Sequence, residues 1–267
     1  MLSIRPGRDK DAAGFIRLIG DCWAEYPGCV MDVDGEARDL RALATHFATL
    51  GGRLWAAERD GAIVGMVATY PAVEAWQIAR MYVAAAERGT GLARRLLALA
   101  EDHARSAGAH RMVLWSDTRF LRAHAFYEKQ GYVRTGGLMA LNDLSRSIEA
   151  GYAKPLTGLV VQALDVAAAE SAESLLADIL VACVDEGASV SFLPPLQRDQ
   201  AAEYWRGVSR AVASGRTVLL AAWREGVLAG AAPCRSAWTR RRTSRTGPRS
   251  ACCWWPPKPG AAVWRAR

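Results

Sequence analysis

The stretch Val83–Gly108, VAAAERGTGLARRLLALAEDHARSAG, constrains this chain more than any other. It sets Gly89 and Gly91, separated by one residue, between an apolar strand and a long alanine–leucine helix. At the start of a helix the first backbone N–H groups have no intrahelical acceptor, and the helix dipole favours an anion. Two residues without Cβ let a diphosphate lie against those amides. A loop that needs positive φ accounts for the same glycines, and a bare Gly-x-Gly does not separate the two. A dinucleotide-binding fingerprint needs a third glycine where Arg94 stands, and a P-loop needs Gly-Lys-Ser/Thr; the sequence has neither.

Around that stretch the pattern is β-α-α-β-β-β-α-β-α-β. LSIRPG reads as a first strand, and DKDAAGFIRLIGDCWAEY and DLRALATHFATLGG as two helices, the second stopped by Gly51-Gly52. RLWAAERDGAIVGMVATYPA is a strand, an Asp-Gly turn and a strand. AWQIARMYVAA, HRMVLWSD and YVRTGGLMAL are further strands, with RFLRAHAFYEKQG a helix before the last. The expected fold class is α/β: a mixed sheet with helices on both faces.

ARMYVAAAERGTGLARRLL resembles the acetyl-CoA signature of GCN5-related N-acetyltransferases (GNAT), Arg/Gln-x-x-Gly-x-Gly/Ala, here Arg88-x-x-Gly91-x-Ala93. RAHAFYEKQGYVRTG resembles the same family's later motif, an aromatic pair followed by Glu-Lys-x-Gly-Tyr/Phe. The strand order is similar to that fold over residues 1–145. The resemblance implies an acyl-CoA N-acyltransferase fold and an enzyme that moves an acetyl group from acetyl-CoA to a primary amine in a ternary complex. It implies that Met81, Tyr82 and Val83 offer backbone groups to the pantetheine arm and the thioester oxygen. Arg88, Gly89, Thr90, Gly91, Leu92 and Ala93 would hold the pyrophosphate, and Tyr127 would protonate the departing thiolate. Relatives often carry asparagine seven residues before that tyrosine; here Phe120 stands there, with Asp117 or Thr118 as stand-ins. Glu74, just before the fourth strand, is the candidate general base, and His110 and His124 could also titrate usefully. His124 is expected on an exposed helix face. Glu25 and Tyr26, followed by the acidic Asp32, Asp34 and Glu36, fall where relatives build the acceptor wall, which would suit a cationic amine. A non-catalytic module that binds acyl-CoA is the alternative. Relatives often pair, so a homodimer is among the expected assemblies. No metal site is expected.

A linker, residues 146–156, precedes a second run of the same pattern over 157–232. LVVQALDV is a strand, AAAESAESLLADILVACVDEG and RDQAAEYWRGVSRAVASG are helices, and RTVLLAAWREGVLAGAA is again strand, turn, strand. It reads as the front half of a second domain of the same kind, giving a tandem arrangement. The continuation, residues 233–267, instead holds nine basic residues, no acidic one and four of the ten tryptophans. Taking the third base of each codon with the first two of the next forces ACCWWP to spell x-Leu-Leu-Val-Ala, an apolar strand where the repeat needs one. The tail is therefore expected to be frame-shifted and poorly ordered, leaving the edge of the preceding strand bare.

Composition narrows the partners. The net charge of +7 sits in that tail, and residues 1–232 carry −2, so no specific nucleic-acid partner is expected. No apolar run approaches the ~20 residues that span a bilayer, and MLSIRPGRDK lacks a signal-peptide core; no membrane partner and a cytoplasmic location follow as expectations. Six irregularly spaced cysteines read as reduced thiols. Cys22, Cys29 and Cys183 lack a histidine at a catalytic spacing, which favours direct attack over a covalent acyl-enzyme.

Overall fold

A computed structural model describes residues 1–188 and 190–235 and a short strand at 253–254. The chain divides into two compact units, residues 1–123 with 137–156, and residues 124–136 with 157–267.

The first unit begins with β1 (Leu2–Pro6), α1 (Ala12–Trp23) and α2 (Leu43–Thr49). The strands β2 (Arg53–Arg59), β3 (Ala62–Ala72) and β4 (Ala75–Val83) follow, then α3 (Leu92–Ser106) and β5 (Arg111–Asp117). α4 (Leu121–Lys129) and β6 (Val133–Ala140) follow, with residues 124–136 counted in the second unit, and then β7 (Ile148–Pro155). The seven strands lie in the order β1-β2-β3-β4-β5-β7-β6. Every recorded neighbouring pair is antiparallel except β4–β5. The β2–β3 turn is Asp60-Gly61, both at positive φ (50° and 81°), which a type I′ turn requires at its two central positions.

One face of this sheet is covered by α1, whose Phe15, Leu18, Ile19 and Cys22 are buried at helical spacing against Leu54, Ala56, Met66 and Ala68. The other face carries α3, with Leu92, Leu96, Leu97, Ala100 and Ala104 buried along one stripe. Gly65 on β3 permits that approach: a Cβ there would sit 3.0 Å from Leu96 Cδ1 and 3.3 Å from Leu92 Cδ2.

The stretch expected to be a linker is β7. It pairs with the whole of β5, from Arg111↔Pro155 to Asp117↔Glu149, and most of its residues are buried. Its composition (Gly151, Ala150, Ala153, a lysine and a proline) reads as a connector because its burial comes from neighbours on both sides, not from its own hydrophobicity. The lysine, Lys154, is buried, and its Nζ donates to Glu101 Oε1 on α3 at 2.8 Å. Burial pushes its ammonium down, and the carboxylate opposes that.

The second unit contains β8 (Leu159–Leu164), α5 (Val166–Asp185), α6 (Arg198–Ala213), β9 (Thr217–Arg224), β10 (Val227–Arg235) and β11 (Cys253–Trp254). Its sheet runs β11-β10-β9-β8, antiparallel throughout. Asp165 caps α5, its carboxylate accepting from the Ala168 N–H at 2.8 Å. The core gathers Leu176, Leu180, Trp205, Leu219 and Trp223, and Trp223 Nε1 donates to the Gly131 carbonyl at 3.1 Å. The edge of β10 is not bare: Gly230 and Ala231 pair with Trp254 and Cys253. The remainder of the tail, with its expected frame change and disorder, lies outside the described residues. Among the described residues no helix is long and apolar enough to cross a membrane.

Candidate active site at the split between β4 and β5

β4 and β5 start as partners and then part. Their ladder holds only at Trp76↔Met112, Gln77↔Val113 and Ile78↔Leu114, although β4 continues to Val83 and β5 to Asp117. On its other edge β4 carries a bulge: Met66 pairs with Tyr82 and Ala68 with Ala79, so Val67 alone faces Arg80 and Met81. Arg80 adopts φ 49°, a left-handed conformation that costs a side-chain-bearing residue about 1–2 kcal/mol. Its guanidinium is anchored by Nη2 donating to Asp39 Oδ2 at 2.7 Å. The bulge therefore turns Met81, Tyr82 and Val83 along an edge that has no ladder partner on the β5 side. Tyr82 is fixed there by Trp23 Nε1, which donates to its hydroxyl at 3.0 Å, and burial pushes that hydroxyl's pKa up.

The chain leaves β4 and reaches α3 through the glycine loop. Gly89 (φ 79°) and Gly91 (φ 86°) are both left-handed, and a Cβ on either would meet open space. The glycines thus serve the loop's conformation and leave room above it. The first carbonyl used by α3 is that of Gly91, taken by the Arg95 N–H at 3.1 Å, and no side chain caps the helix. The Leu92, Ala93 and Arg94 amides lie ahead of that first bond. Arg94 and Arg95 are exposed in the first turn, where the dipole disfavours cations, and an anion there relieves the conflict. Glu87, the acid nearest in sequence, is withdrawn: Arg59 Nε and Nη2 donate to its two oxygens at 2.5 and 3.0 Å.

Arg88 does not stand free at the mouth of the loop. Its Nη1 and Nη2 donate to Glu25 Oε2 and Oε1 at 2.8 and 2.5 Å, and Arg122 adds a third contact to Glu25 at 3.2 Å. The hydrogen bonds from Arg88 hold the Glu25 carboxyl below the usual range. The other acids of the expected acceptor wall are engaged too. Asp32 accepts from the Asp34 and Gly35 amides, Asp34 pairs with Arg41, and Glu36 accepts from the Leu144 amide at 3.0 Å. Tyr26 lies against Phe120, ring centroids 4.6 Å apart. The acidity read there as a lure for a cationic amine is largely consumed in holding the segment together.

Two expectations about side chains are revised. Glu74 is exposed at the tip of the β3–β4 hairpin, the opposite end of β4 from the glycine loop. The nine residues of β4 at about 3.3 Å each put roughly 30 Å between them, so it is not part of this site. His124 is buried at 3% exposure, not on an open helix face. Tyr127, on α4, is 6% exposed within the second unit, its ring edge-on to Tyr132 at 5.8 Å. Asp117 is bound by its near neighbour: Arg119 Nε and Nη2 donate to its oxygens at 2.8 and 2.5 Å. Burial lifts the Cys22 thiol, whose Sγ lies 3.6 Å from the Val83 carbonyl, so it is held as a thiol and not a thiolate.

One carboxylate that local sequence reading missed belongs here. Glu149 on β7 sits directly opposite Asp117 on β5 and is half-buried. Only the register of a strand taken for a linker could have revealed it.

A seven-stranded, mostly antiparallel sheet that splits at its parallel pair, with an uncapped glycine-led helix at the split, defines the acyl-CoA N-acyltransferase fold. Residues 15–132 match the model of the Acetyltransferase (GNAT) family. The chain is 30% identical over 104 residues to N-acetyltransferase family 8 member 2 of Rattus norvegicus, covering 37% of this chain and 46% of that protein. It is 26% identical over 144 residues to the uncharacterized N-acetyltransferase YhfO of Bacillus subtilis, covering 52% and 94%. The chain thus spans about half the length of the rat relative. Among solved structures, a GNAT-family acetyltransferase from Staphylococcus aureus Mu50 superposes with a TM-score of 0.51 at 18% identity, over 59% of this chain and all of that one. An acetyltransferase from Streptococcus agalactiae superposes with the same TM-score at 21% identity, over 58% of this chain and 98% of its own. At these identities the likeness bears on fold.

Proposed function

We propose that the chain transfers an acetyl group from acetyl-CoA to a primary amine, by direct attack with both substrates bound. The observation that carries this is the glycine loop: unladdered amides at Leu92–Arg94 beneath open space at Gly89 and Gly91. Those groups suit a diphosphate, and an amide-lined edge of β4 leads from them into the split. When bound, acetyl-CoA supplies the activated acetyl thioester. In this reading the pyrophosphate is gripped by the amides of Gly89, Gly91, Leu92 and Ala93, since those of Arg88 and Thr90 donate to the Ala85 and Glu87 carbonyls, and the Arg88 side chain braces Glu25 instead. A backbone N–H of Met81–Val83 donates to the thioester oxygen as negative charge develops there. The Tyr127 hydroxyl gives a proton to the departing thiolate. The acceptor is an amine, on a small molecule or a protein. Titration with acetyl-CoA, then a thiol-release assay over an amine panel, tests the proposal; binding without turnover of any amine would leave only an acyl-CoA-binding module.

We also infer that the second unit repeats the front half of the first. The order β8-α5-α6-β9-β10 parallels β1-α1-α2-β2-β3, and the β9–β10 turn, Glu225-Gly226, has the same two positive φ values (49° and 77°) as Asp60-Gly61. In the first unit α3 covers the sheet face opposite α1. On the corresponding face of the second unit Leu159, Val161 and Val218 are 66%, 57% and 43% exposed, as a sheet lacking that helix would leave them.

A further inference from the structure

We propose that Glu149 is the general base that takes the proton from the attacking amine, an assignment that rests on the acetyl-transfer reading above. The argument is one of register and of occupancy. Asp117 and Glu149 are direct partners across β5 and β7, so their side chains leave the sheet on one face. Lys154, five residues further along β7, points to the other face and pairs with Glu101 of α3. Glu149 therefore stands on the α1 side of the sheet. The β4 groups within electrostatic reach of it are Arg80 and Tyr82, the residues at and just beyond the bulge.

Every other carboxylate on this rim has a partner. Asp117 is held by Arg119, Glu25 by Arg88 and Asp39 by Arg80. Asp143, in the β6–β7 loop, accepts from the Ser147 amide at 2.7 Å. Among the described residues the Glu149 carboxylate has neither a hydrogen-bond donor nor an ion-pair partner. The charged groups facing it are Asp117 from β5, Asp143 from the loop and Arg80 from β4. Burial raises its pKa first, the two aspartates raise it further, and Arg80 opposes them. A carboxylate moved in that direction is a better proton acceptor near neutral pH than an exposed one.

The step balances. The ammonium of the acceptor gives one proton to a Glu149 oxygen, and the freed nitrogen lone pair forms a bond to the acetyl carbonyl carbon. The C–S bond breaks with its electron pair on sulfur, which takes the Tyr127 hydroxyl proton, and the second nitrogen-borne proton restores that hydroxyl. Glu149 then returns its proton to solvent. Ammonium and thioester yield amide, thiol and one proton.

The test compares wild type with Glu149→Gln and Glu149→Asp. Acetyl-CoA affinity is read by calorimetry, and thiol release is followed from pH 5.5 to 9.5 with the best amine of a panel. Glu149→Gln is expected to bind acetyl-CoA within twofold of wild type and to lose at least 100-fold in kcat/KM at pH 7. It should lose the ascending acid limb of the profile, with the deficit shrinking as the amine deprotonates on its own. Glu149→Asp should keep the limb with a reduced kcat. The assignment is overturned by a Glu149→Gln enzyme within threefold of wild type at pH 7. If that variant does not fold, a Glu149→Asp enzyme without the limb overturns it. A wild-type protein that binds acetyl-CoA but acetylates no amine defeats the transfer reading itself, and is told apart because the loss precedes any substitution.

Discussion

Arg88 and Glu25 are joined by two parallel hydrogen bonds, 2.8 and 2.5 Å long, that tie the end of α1 to the head of the glycine loop. The basic residue that opens the loop is committed to a carboxylate 63 positions earlier. In the proposed reading, phosphate recognition is thereby left to the backbone and to the exposed Arg94 and Arg95.

Arg88→Gln should therefore weaken acetyl-CoA binding by no more than about threefold, as measured by calorimetry. Both partners are about 30% exposed, so the pair is worth about 0.5–1 kcal/mol, a fall in Tm of roughly 2–3 °C. Glu25→Gln should give the same fall, and the double variant should lose little more than either alone. Additive losses would show that the two side chains act separately.

Asp11 supplies a pH-dependent part of the stability. Arg5 Nη1 and Nη2 donate to it at 2.7 and 2.9 Å, and those bonds hold its carboxyl below the usual range. A depressed carboxylate stabilises fully above its ordinary value of about 4 and loses that contribution as pH falls through the folded value. Asp11→Asn should cost about 1.5–3 kcal/mol at pH 7 in urea unfolding. The gap between variant and wild type should narrow steadily below pH 4; a gap that is constant with pH refutes the linkage.

Tyr127→Phe should leave acetyl-CoA affinity unchanged and slow thiol release about 100-fold, the contribution of a positioned acid. Because Tyr127 packs against Tyr132, its melting temperature is the control. Equal activity at equal stability would reduce Tyr127 to a packing role.

The second unit offers a contrast between its two sheet faces. Val161→Lys, on the exposed face, should leave Tm within about 2 °C and raise solubility in a precipitation assay. Trp223→Ala, fully buried with its indole bonded to Gly131, should cost about 3–5 kcal/mol of that unit's stability by chemical unfolding. If Val161→Lys is the more damaging, the face is covered and the half-domain reading is wrong.

Legibility in the sequence followed the range of the forces involved. The glycine loop, the amphipathic stripe of α3 and the Asp60-Gly61 turn are local matters of φ and of apolar spacing, and they were readable. β7 was not. Its alanines and glycine are buried by β5, and its lysine is tolerated because of Glu101, 53 residues earlier. The carboxylates failed in the same way. Glu74 precedes β4 in sequence but sits at the wrong end of the strand, and Glu149 reaches the split only through the β5–β7 register. The acidic run Asp32–Glu36 suggested a charged wall until its internal partners were visible.

The loop's grip is measured most directly by amide chemical shifts in ¹⁵N-labelled protein titrated with coenzyme A. The Leu92, Ala93 and Arg94 N–H protons should move downfield in proportion to occupancy, well beyond any change at the Glu74 hairpin, and pantetheine, which lacks the diphosphate, should not reproduce the effect. Saturable binding that leaves those three resonances in place would contradict the account.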